Sequence, residues 1–205
     1  VNFWICHGTL LGIIRENRLL PWDHDIDFAV WDSEVSRELI ISIFNNAGYQ
    51  QEVVFGDMDC LHFYGKNKKI DVSFYKIVND IASIKWIAPS EGVIMKACID
   101  CVQIMCMNYD IRKIELAIGG FKRFVHISLL KISLIFKSLL TDKIKRIIYN
   151  SMVGRLNYKG YSYPIALMKF EDLQYNDFII PIPVNSKRCL EITYGKDWAV
   201  PKKDY

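Results

Sequence analysis

The sequence predicts an α+β fold, with a mixed sheet, helices on one face of it, and a helical insertion before a C-terminal extension. Short runs of β-branched and aromatic residues alternate with polar residues, which is typical of strands. Between and after them, apolar residues recur at spacings of three and four, which is typical of amphipathic helices. The 205 residues, 51% apolar and 24% charged, can bury a sizeable core and exclude a disordered chain.

The first 31 residues predict a strand, a helix and a second strand. Residues 3–6 form a short apolar run before Gly8, Thr9 is expected to cap a helix, and Pro21 to prevent its continuation. In the second strand, acidic and small residues alternate with apolar ones: Asp25, Asp27 and Ala29 against Ile26, Phe28 and Val30.

Two acids on one face of an apolar strand need an explanation. Asp25 and Asp27 repel each other, and their desolvation adds to the cost of folding. A divalent cation removes the conflict, since Mg²⁺ is bound by one or two carboxylates together with substrate phosphates. The turn at Gly8 and Thr9 offers free N–H groups and a helix dipole to a phosphate. The unit therefore predicts phosphoryl transfer.

The next strands predict a third acid at the same place. A helix over residues 33–48, with Ser33 as its cap, is followed by strands near 50–55, 60–64, 69–75 and 81–87. Asp71 alternates with apolar residues as Asp25 and Asp27 do, so it joins them if the two strands are neighbours. The alternative is a surface acid on a half-exposed strand. His62 is expected to be a hydrogen-bonded structural residue.

Residues 7–30, HGTLLGIIRENRLLPWDHDIDFAV, resemble the signature of the LicD/fukutin family of nucleotidyltransferase-fold proteins. That family shows a glycine turn, TLLG, an arginine, I-P-W and a D-x-D-I-D run in this order. His7 departs from it, because the family often has glycine there, and His24 lies inside the acidic run. The closing block of the chain, with F-E-x-L, P-x-P, Y-G and D-W, is also similar to the family. The resemblance implies a nucleotidyltransferase-like, polymerase-β-type sheet.

The resemblance also implies a function and a set of site residues. Family members move a phosphate-linked group, of the phosphocholine or polyol phosphate type, from a CDP-linked donor to a hydroxyl of a cell-surface glycan, in lipopolysaccharide, capsule or teichoic acid. By analogy, Mg²⁺ or Mn²⁺ would be bound by the catalytic acids Asp25, Asp27 and Asp71, the last as ligand or base. The donor would be contacted by Gly8, Thr9, Arg15 and Asp23.

The region before the closing block predicts helices with a basic character. An apolar series at helical spacing is expected to form a buried seam: Phe121, Val125, Leu129, Ile132, Phe136 and Leu139. Between Lys122 and Arg146 there are seven Lys or Arg and one acid, Asp142. This charge predicts either a solvated face over the seam or peripheral contact of residues 121–148 with an anionic membrane. The predicted domains are a core at 1–90, a helical region at 91–154 and a closing segment at 155–205 packed on the core.

Composition limits the alternatives. A net charge of +3 gives no support for nucleic acid as a partner. The spacing of Cys98, Cys101 and Cys106 hints at zinc, but no second ligand pair follows, so the cysteines favour a reducing, bacterial cytoplasmic compartment. Val1 suggests a segment of a longer chain. A catalytically inactive nucleotide-binding paralogue and a nucleic-acid-directed nucleotidyltransferase stay open as alternative functions.

Overall fold

The computed structural model describes residues 1–52, 59–88, 93–107 and 120–201. The chain divides into two compact units. The first lies within residues 1–52, 58–86 and 160–205, and the second within 53–57 and 87–159. From residue 160 onwards, the closing segment thus belongs to the same unit as the N-terminal core.

A mixed sheet forms the first unit, as predicted. Its central strands run in the order β1-β2-β5-β4-β3, and β6 pairs with β5 and with β7. The β2–β5 pairing is parallel, whereas the pairings of β1 with β2, β3 with β4, β4 with β5 and β5 with β6 are antiparallel. The strands are β1 (Trp4–Ile5), β2 (Asp25–Trp31), β3 (Gln50–Glu52), β4 (Cys60–Gly65), β5 (Lys68–Val78), β6 (Ile81–Ile87) and β7 (Tyr158–Pro164).

The parallel pairing of β2 with β5 decides which side chains meet. Asp27 lies opposite Asp71 in the register, so the two share one face of the sheet. Val30 and Phe74 lie on the other face, in a core cluster that includes Ile40. Asp25, Asp27 and Asp71, the three acids predicted from the sequence, therefore lie on neighbouring strands and on one face of the sheet.

Helices cover both faces of the sheet, so the prediction of helices on one face is wrong. Helix α2 (Arg37–Asn46) packs through Ile40 against the Val30 and Phe74 face. Helix α6 (Ser186–Tyr194) packs through Cys189 into the cluster that contains Ala29, on the opposite face. Strand β2 has apolar side chains on both faces, Ala29 on one and Val30 on the other, so both faces need to be covered.

The predicted caps differ from the observed ones. Helix α1 (His7–Glu16) begins two residues before Thr9, so Thr9 is not its cap. The helix is ended by Asn17, which has a left-handed φ of 52° and lies four residues before Pro21. In α2 the cap is Ser36, whose Oγ accepts a hydrogen bond from the Leu39 amide at 3.2 Å, and not Ser33.

The closing segment forms a hairpin and a helix. Strands β8 (Phe170–Tyr175) and β9 (Phe178–Pro183) pair antiparallel, and the prolines of β9 favour its extended path. After α6, Gly195 ends the helix at φ 91°. Tyr194 and Trp198 pack against the cluster built on α1.

The second unit contains three described helices, and its buried face is not the predicted one. Helix α3 (Val93–Cys106) packs against α4 (Gly120–Leu139) and α5 (Asp142–Val153). In α4 the buried residues are His126, Leu130 and Ser133. The predicted seam is exposed instead, with Phe121 at 80% and Leu139 at 70%. No helix among the described residues is both long and apolar enough to span a bilayer.

Candidate metal and phosphate site

Three carboxylates meet where β2 begins. One oxygen from each of Asp23, Asp25 and Asp27 lies within 4.8 Å of the others. In the part of the chain that the structure describes, this is the one group of His, Cys, Asp or Glu side chains close enough to share a cation. Asp25 and Asp27 reach it by strand alternation, and Asp23 reaches it from the turn before the strand.

Thr9 holds Asp27 in place through two reciprocal hydrogen bonds. The Thr9 amide donates to Asp27 Oδ2 at 3.1 Å, and the Asp27 amide donates to Thr9 Oγ1 at 2.8 Å. Both residues are buried, with Asp27 only 8% exposed. The hydroxyl and amide of Thr9 are thus occupied by Asp27, so the predicted phosphate contact of Thr9 would require their release.

Gly8 lets the carboxylates approach the start of α1. A Cβ placed on Gly8 would collide with Asp23 Oδ2 and would lie 3.3 Å from Asp27 Oδ2. Any larger residue here would push Asp23 away from its neighbours. The close approach brings the acids to the helix N-terminus, where the dipole favours negative charge.

Asp71 lies on the same face but is already paired. Its Oδ1 is 2.7 Å from His62 Nδ1, and its Oδ2 accepts a hydrogen bond from Lys69 Nζ at 3.0 Å. The same ammonium lies 3.4 Å from Asp25 Oδ2 and so links the two acids. His62 Nε2 is in turn 3.3 Å from Cys60 Sγ. His62 is therefore hydrogen-bonded, as expected, and Asp71 would serve as a metal ligand only after losing one of these partners.

The ionisation of the cluster reflects its crowding. Burial, reinforced by Asp25, raises the pKa of Asp27 to about 7. Burial and a hydrogen bond with Asp25 also raise the pKa of Asp23 to about 7. Burial alone would raise the pKa of Asp25, but Asp23 and Lys69 outweigh it and lower that pKa. Two of the three acids thus titrate near neutral pH, because burial and the neighbouring carboxylates disfavour their charged forms.

The two side chains paired with Asp71, His62 and Lys69, favour their positively charged forms. Burial opposes the charge of His62, but its bonds to Asp71 and Cys60 prevail and raise its pKa to about 10. For Lys69 too, Asp71 and Asp25 outweigh burial, so its pKa is raised. Asp71 is therefore paired with both His62 and Lys69, and Lys69 also reaches Asp25 of the grouped acids.

The donor set fits a hard divalent cation. Mg²⁺ and Mn²⁺ prefer oxygen ligands, and all three grouped side chains are carboxylates. The close approach at Gly8 and the protonation of Asp23 and Asp27 both indicate a site that a cation would relieve of repulsion. Cys98, Cys101 and Cys106 are free thiols and do not belong to this group.

Arg15 is buried and is engaged away from the acids. Its side chain is 4% exposed, and it pairs with Glu16 at 2.9 Å and donates to the Trp198 carbonyl at 3.3 Å. It therefore ties α1 to the closing segment. Its predicted role in phosphate binding stays a prediction.

His7 occupies a left-handed backbone position. Its φ is 44°, a conformation that glycine adopts with the least strain. This explains physically why glycine suits the position in the resembled sequences. The His7 ring lies 5.3 Å from that of Tyr161, and burial lowers its pKa to about 4, so the ring is neutral.

Lys69 is the member of the site that the sequence prediction missed. It lies two residues before Asp71 on β5, so strand alternation alone places it on the same face. Asp23 was predicted only as a donor contact, whereas the structure groups it with Asp25 and Asp27. Its position in a turn carries no periodic signal.

Thr9→Val is expected to lower the free energy of unfolding by about 1–3 kcal/mol, because it leaves the buried Asp27 amide without its acceptor. Chemical denaturation at fixed pH measures this change. Thr9→Ser keeps the hydroxyl and is expected to recover most of the loss. A Thr9→Val protein as stable as the wild type would show that the hydroxyl does not support Asp27.

Metal-free protein is expected to become less stable as the pH rises from about 4 to about 7. Asp23 and Asp27 have native pKa values near 7, above the ordinary 3.8, so the native state binds more protons than the unfolded chain in this range. Melting temperatures in chelator between pH 4.5 and 7.5 measure the trend, and Asp27→Asn is expected to flatten it. A melting temperature that rises throughout this range, equally in both proteins, would contradict the expectation.

Comparisons with known proteins find a family similarity in the N-terminal part of the chain. Residues 1–98 match the family model described as LicD/FKTN/FKRP, nucleotidyltransferase domain. The human ribitol-5-phosphate transferase FKTN is 32% identical over 79 residues, which are 37% of this chain and 17% of that protein. An uncharacterised protein of Rickettsia typhi is 30% identical over 86 residues, 39% of this chain and 27% of that protein. The alignments thus span less than a third of these relatives.

Two solved structures of the antibiotic-resistance factor ANT(2'')-Ia align with 75% of this chain at 12% identity. They are covered to 82% and 87%, with TM-scores of 0.33 and 0.32, too low a likeness to support a conclusion about this chain. The family match covers the strands and acids of the site, from β1 to β6. Residues 1–98 of the chain are therefore similar to the LicD/FKTN/FKRP nucleotidyltransferase domain family.

Proposed function

We propose that the protein is a metal-dependent transferase of the LicD type. It would move a phosphate-linked group, of the phosphocholine or polyol phosphate type, from a CDP-linked donor to a hydroxyl of a cell-surface glycan. One observation carries this proposal: a carboxylate oxygen from each of Asp23, Asp25 and Asp27 lies within 4.8 Å of the other two. The family match and the printed name of the human relative, a ribitol-5-phosphate transferase, support the class of reaction.

Each residue of the site has a proposed task. Asp25 and Asp27, with Asp23, would hold Mg²⁺ or Mn²⁺, and Thr9 fixes the direction of the Asp27 carboxylate. The bound cation would neutralise the diphosphate and the charge that develops on the leaving oxygen. Gly8 would allow the diphosphate to approach the N-terminus of α1 as closely as it allows Asp23.

Asp71 has two proposed roles, a further ligand or the base that takes the proton of the acceptor hydroxyl. Either role requires one of its oxygens to be released. Lys69 is the more exposed partner, since its side chain is 34% exposed while that of His62 is 15% exposed, so its release costs less burial. In the transfer, Lys69 would leave Asp71 and Asp25 and turn its ammonium to a donor phosphate.

Incubation with a panel of CDP-alcohols tests the proposal, with CMP release as the readout. CDP-choline, CDP-ribitol and CDP-glycerol are offered with Mn²⁺ and a glycan acceptor, and at least one is expected to give metal-dependent CMP release. Asp27→Ala is expected to abolish it, while Asp172→Asn, at an exposed acid of β8, serves as the matched control. Stabilisation by CDP and Mn²⁺ without any CMP release would favour an inactive paralogue, and stabilisation by RNA a nucleic-acid-directed enzyme.

A further inference from the structure

Among the residues that the structure describes, the outer face of α4 is apolar and exposed. Across α4 and α5, eleven large apolar side chains are more than a third exposed, nine of them on α4. The nine are Phe121, Phe124, Val125, Leu129, Ile132, Leu134, Ile135, Phe136 and Leu139. A soluble monomer rarely exposes so many neighbouring apolar groups, and such patches mark sites of interaction.

Packing within the second unit does not explain this face. Leu130 and His126 point inwards, and His126 lies 3.1 Å from Asp100 of α3. At 3.6 residues per turn, Phe121, Ile132 and Leu139 lie on the side of α4 opposite to Leu130. The helix therefore buries a face that contains polar groups and presents its most apolar face outwards, the reverse of an ordinary surface helix.

The charges around this face are almost all positive. Residues 120–153 contain seven Lys or Arg and one acid, Asp142. Exposed basic side chains lie on the flank of α4 at Lys131 and on α5 at Lys143 and Arg146. An occupant that suits them combines an apolar layer with a negatively charged rim along a helix about 30 Å long. The boundary between the headgroups and acyl chains of an anionic bilayer has both properties.

We infer that α4 docks the second unit onto an anionic lipid surface. The helix lies in the plane of the membrane, with its apolar face at the acyl boundary and its basic residues among the headgroups. This inference goes beyond the proposed transferase activity and does not depend on it. The apolar residues of α4 that were predicted to be buried in the protein would instead contact the lipid.

Vesicle co-sedimentation of the full chain tests the inference. Vesicles of phosphatidylcholine with phosphatidylserine are expected to bind the protein, with at least about tenfold weaker binding to phosphatidylcholine alone and a fall in binding as salt is raised. The double variant Ile132→Glu with Phe136→Glu is expected to lose at least about tenfold in partitioning, since both side chains are exposed and their replacement removes apolar contact with the lipid.

A matched variant controls for added charge. Phe178→Glu with Ile179→Glu makes the same chemical change at exposed positions of β9, and it is expected to bind vesicles like the wild type. If the α4 variant fails to fold by circular dichroism, Lys131→Glu with Lys143→Glu replaces it, with the same expected loss. Equal binding by the wild type and the α4 variants would overturn the inference. So would a dimer that the α4 variant breaks in a protein that binds no vesicles, because the face would then belong to a second copy.

Discussion

Asp27→Asn is expected to lower CMP release by about 10³-fold and, in the same protein, to raise the melting temperature measured without metal. The two effects share one cause. Asp27 is buried beside Asp25, and burial and that neighbour raise its pKa to about 7. An amide carries no charge, so it relieves the repulsion above that pH but gives a cation a weaker ligand.

Because Asp27→Asn is expected to lower the activity but raise the melting temperature, it distinguishes a metal ligand from a structural residue. A residue with only a structural role would lose activity and stability together. Asp172→Asn, which changes an exposed acid in the same way, is expected to leave both quantities as they are. A loss of several kcal/mol in the metal-free Asp27→Asn protein would mean that the carboxylate has a stabilising partner stronger than the Thr9 amide.

Gly8→Ala is expected to weaken Mn²⁺ binding by about 10- to 100-fold with little loss of stability. The added Cβ would meet Asp23 Oδ2, the free end of a side chain, which can turn away without disturbing the backbone. Alanine is also a better helix former than glycine by about 1 kcal/mol, and this offsets part of the strain. The variant thus removes Asp23 from the group while α1 persists.

Alanine substitutions at two other glycines serve as controls for Gly8→Ala. Gly154→Ala is expected to leave metal binding and stability nearly unchanged, because the nearest atom would be 3.5 Å from the new Cβ. Gly12→Ala is expected to destabilise the fold, because its Cβ would lie 2.6 Å from the backbone oxygen of Arg18. Mn²⁺ dissociation constants and melting temperatures of the three variants separate the effects. Wild-type Mn²⁺ affinity in Gly8→Ala would exclude Asp23 as a ligand.

Strand periodicity was a reliable guide to the acids. With a period of two, Asp25 and Asp27 must share a face of β2, and Asp71 must oppose the apolar residues of β5. That β2 and β5 are parallel neighbours is not contained in either pattern, and the structure supplies it. The same alternation would have identified Lys69, had basic residues near Asp71 been considered as well as acids.

Local chemistry was a weaker guide where similar residues compete. Ser33 and Ser36 have the same capping group, so the local pattern does not distinguish them, and the structure uses Ser36. In α4 the spacing indicated an apolar face correctly but not the direction in which it points. The second unit buries His126 and Ser133 against α3 instead, and no periodic pattern marks that choice.

Titration of the metal-free protein with Mn²⁺ tests most directly whether the three grouped acids form a cation site. Calorimetry at pH 6.5 in two buffers of different ionisation enthalpy yields both the affinity and the number of protons released. The account predicts one Mn²⁺ bound with proton release, because Asp23 and Asp27 have pKa values of about 7, and both quantities are expected to fall in Asp27→Asn. Absence of binding, or equal binding by both proteins without proton release, would contradict it.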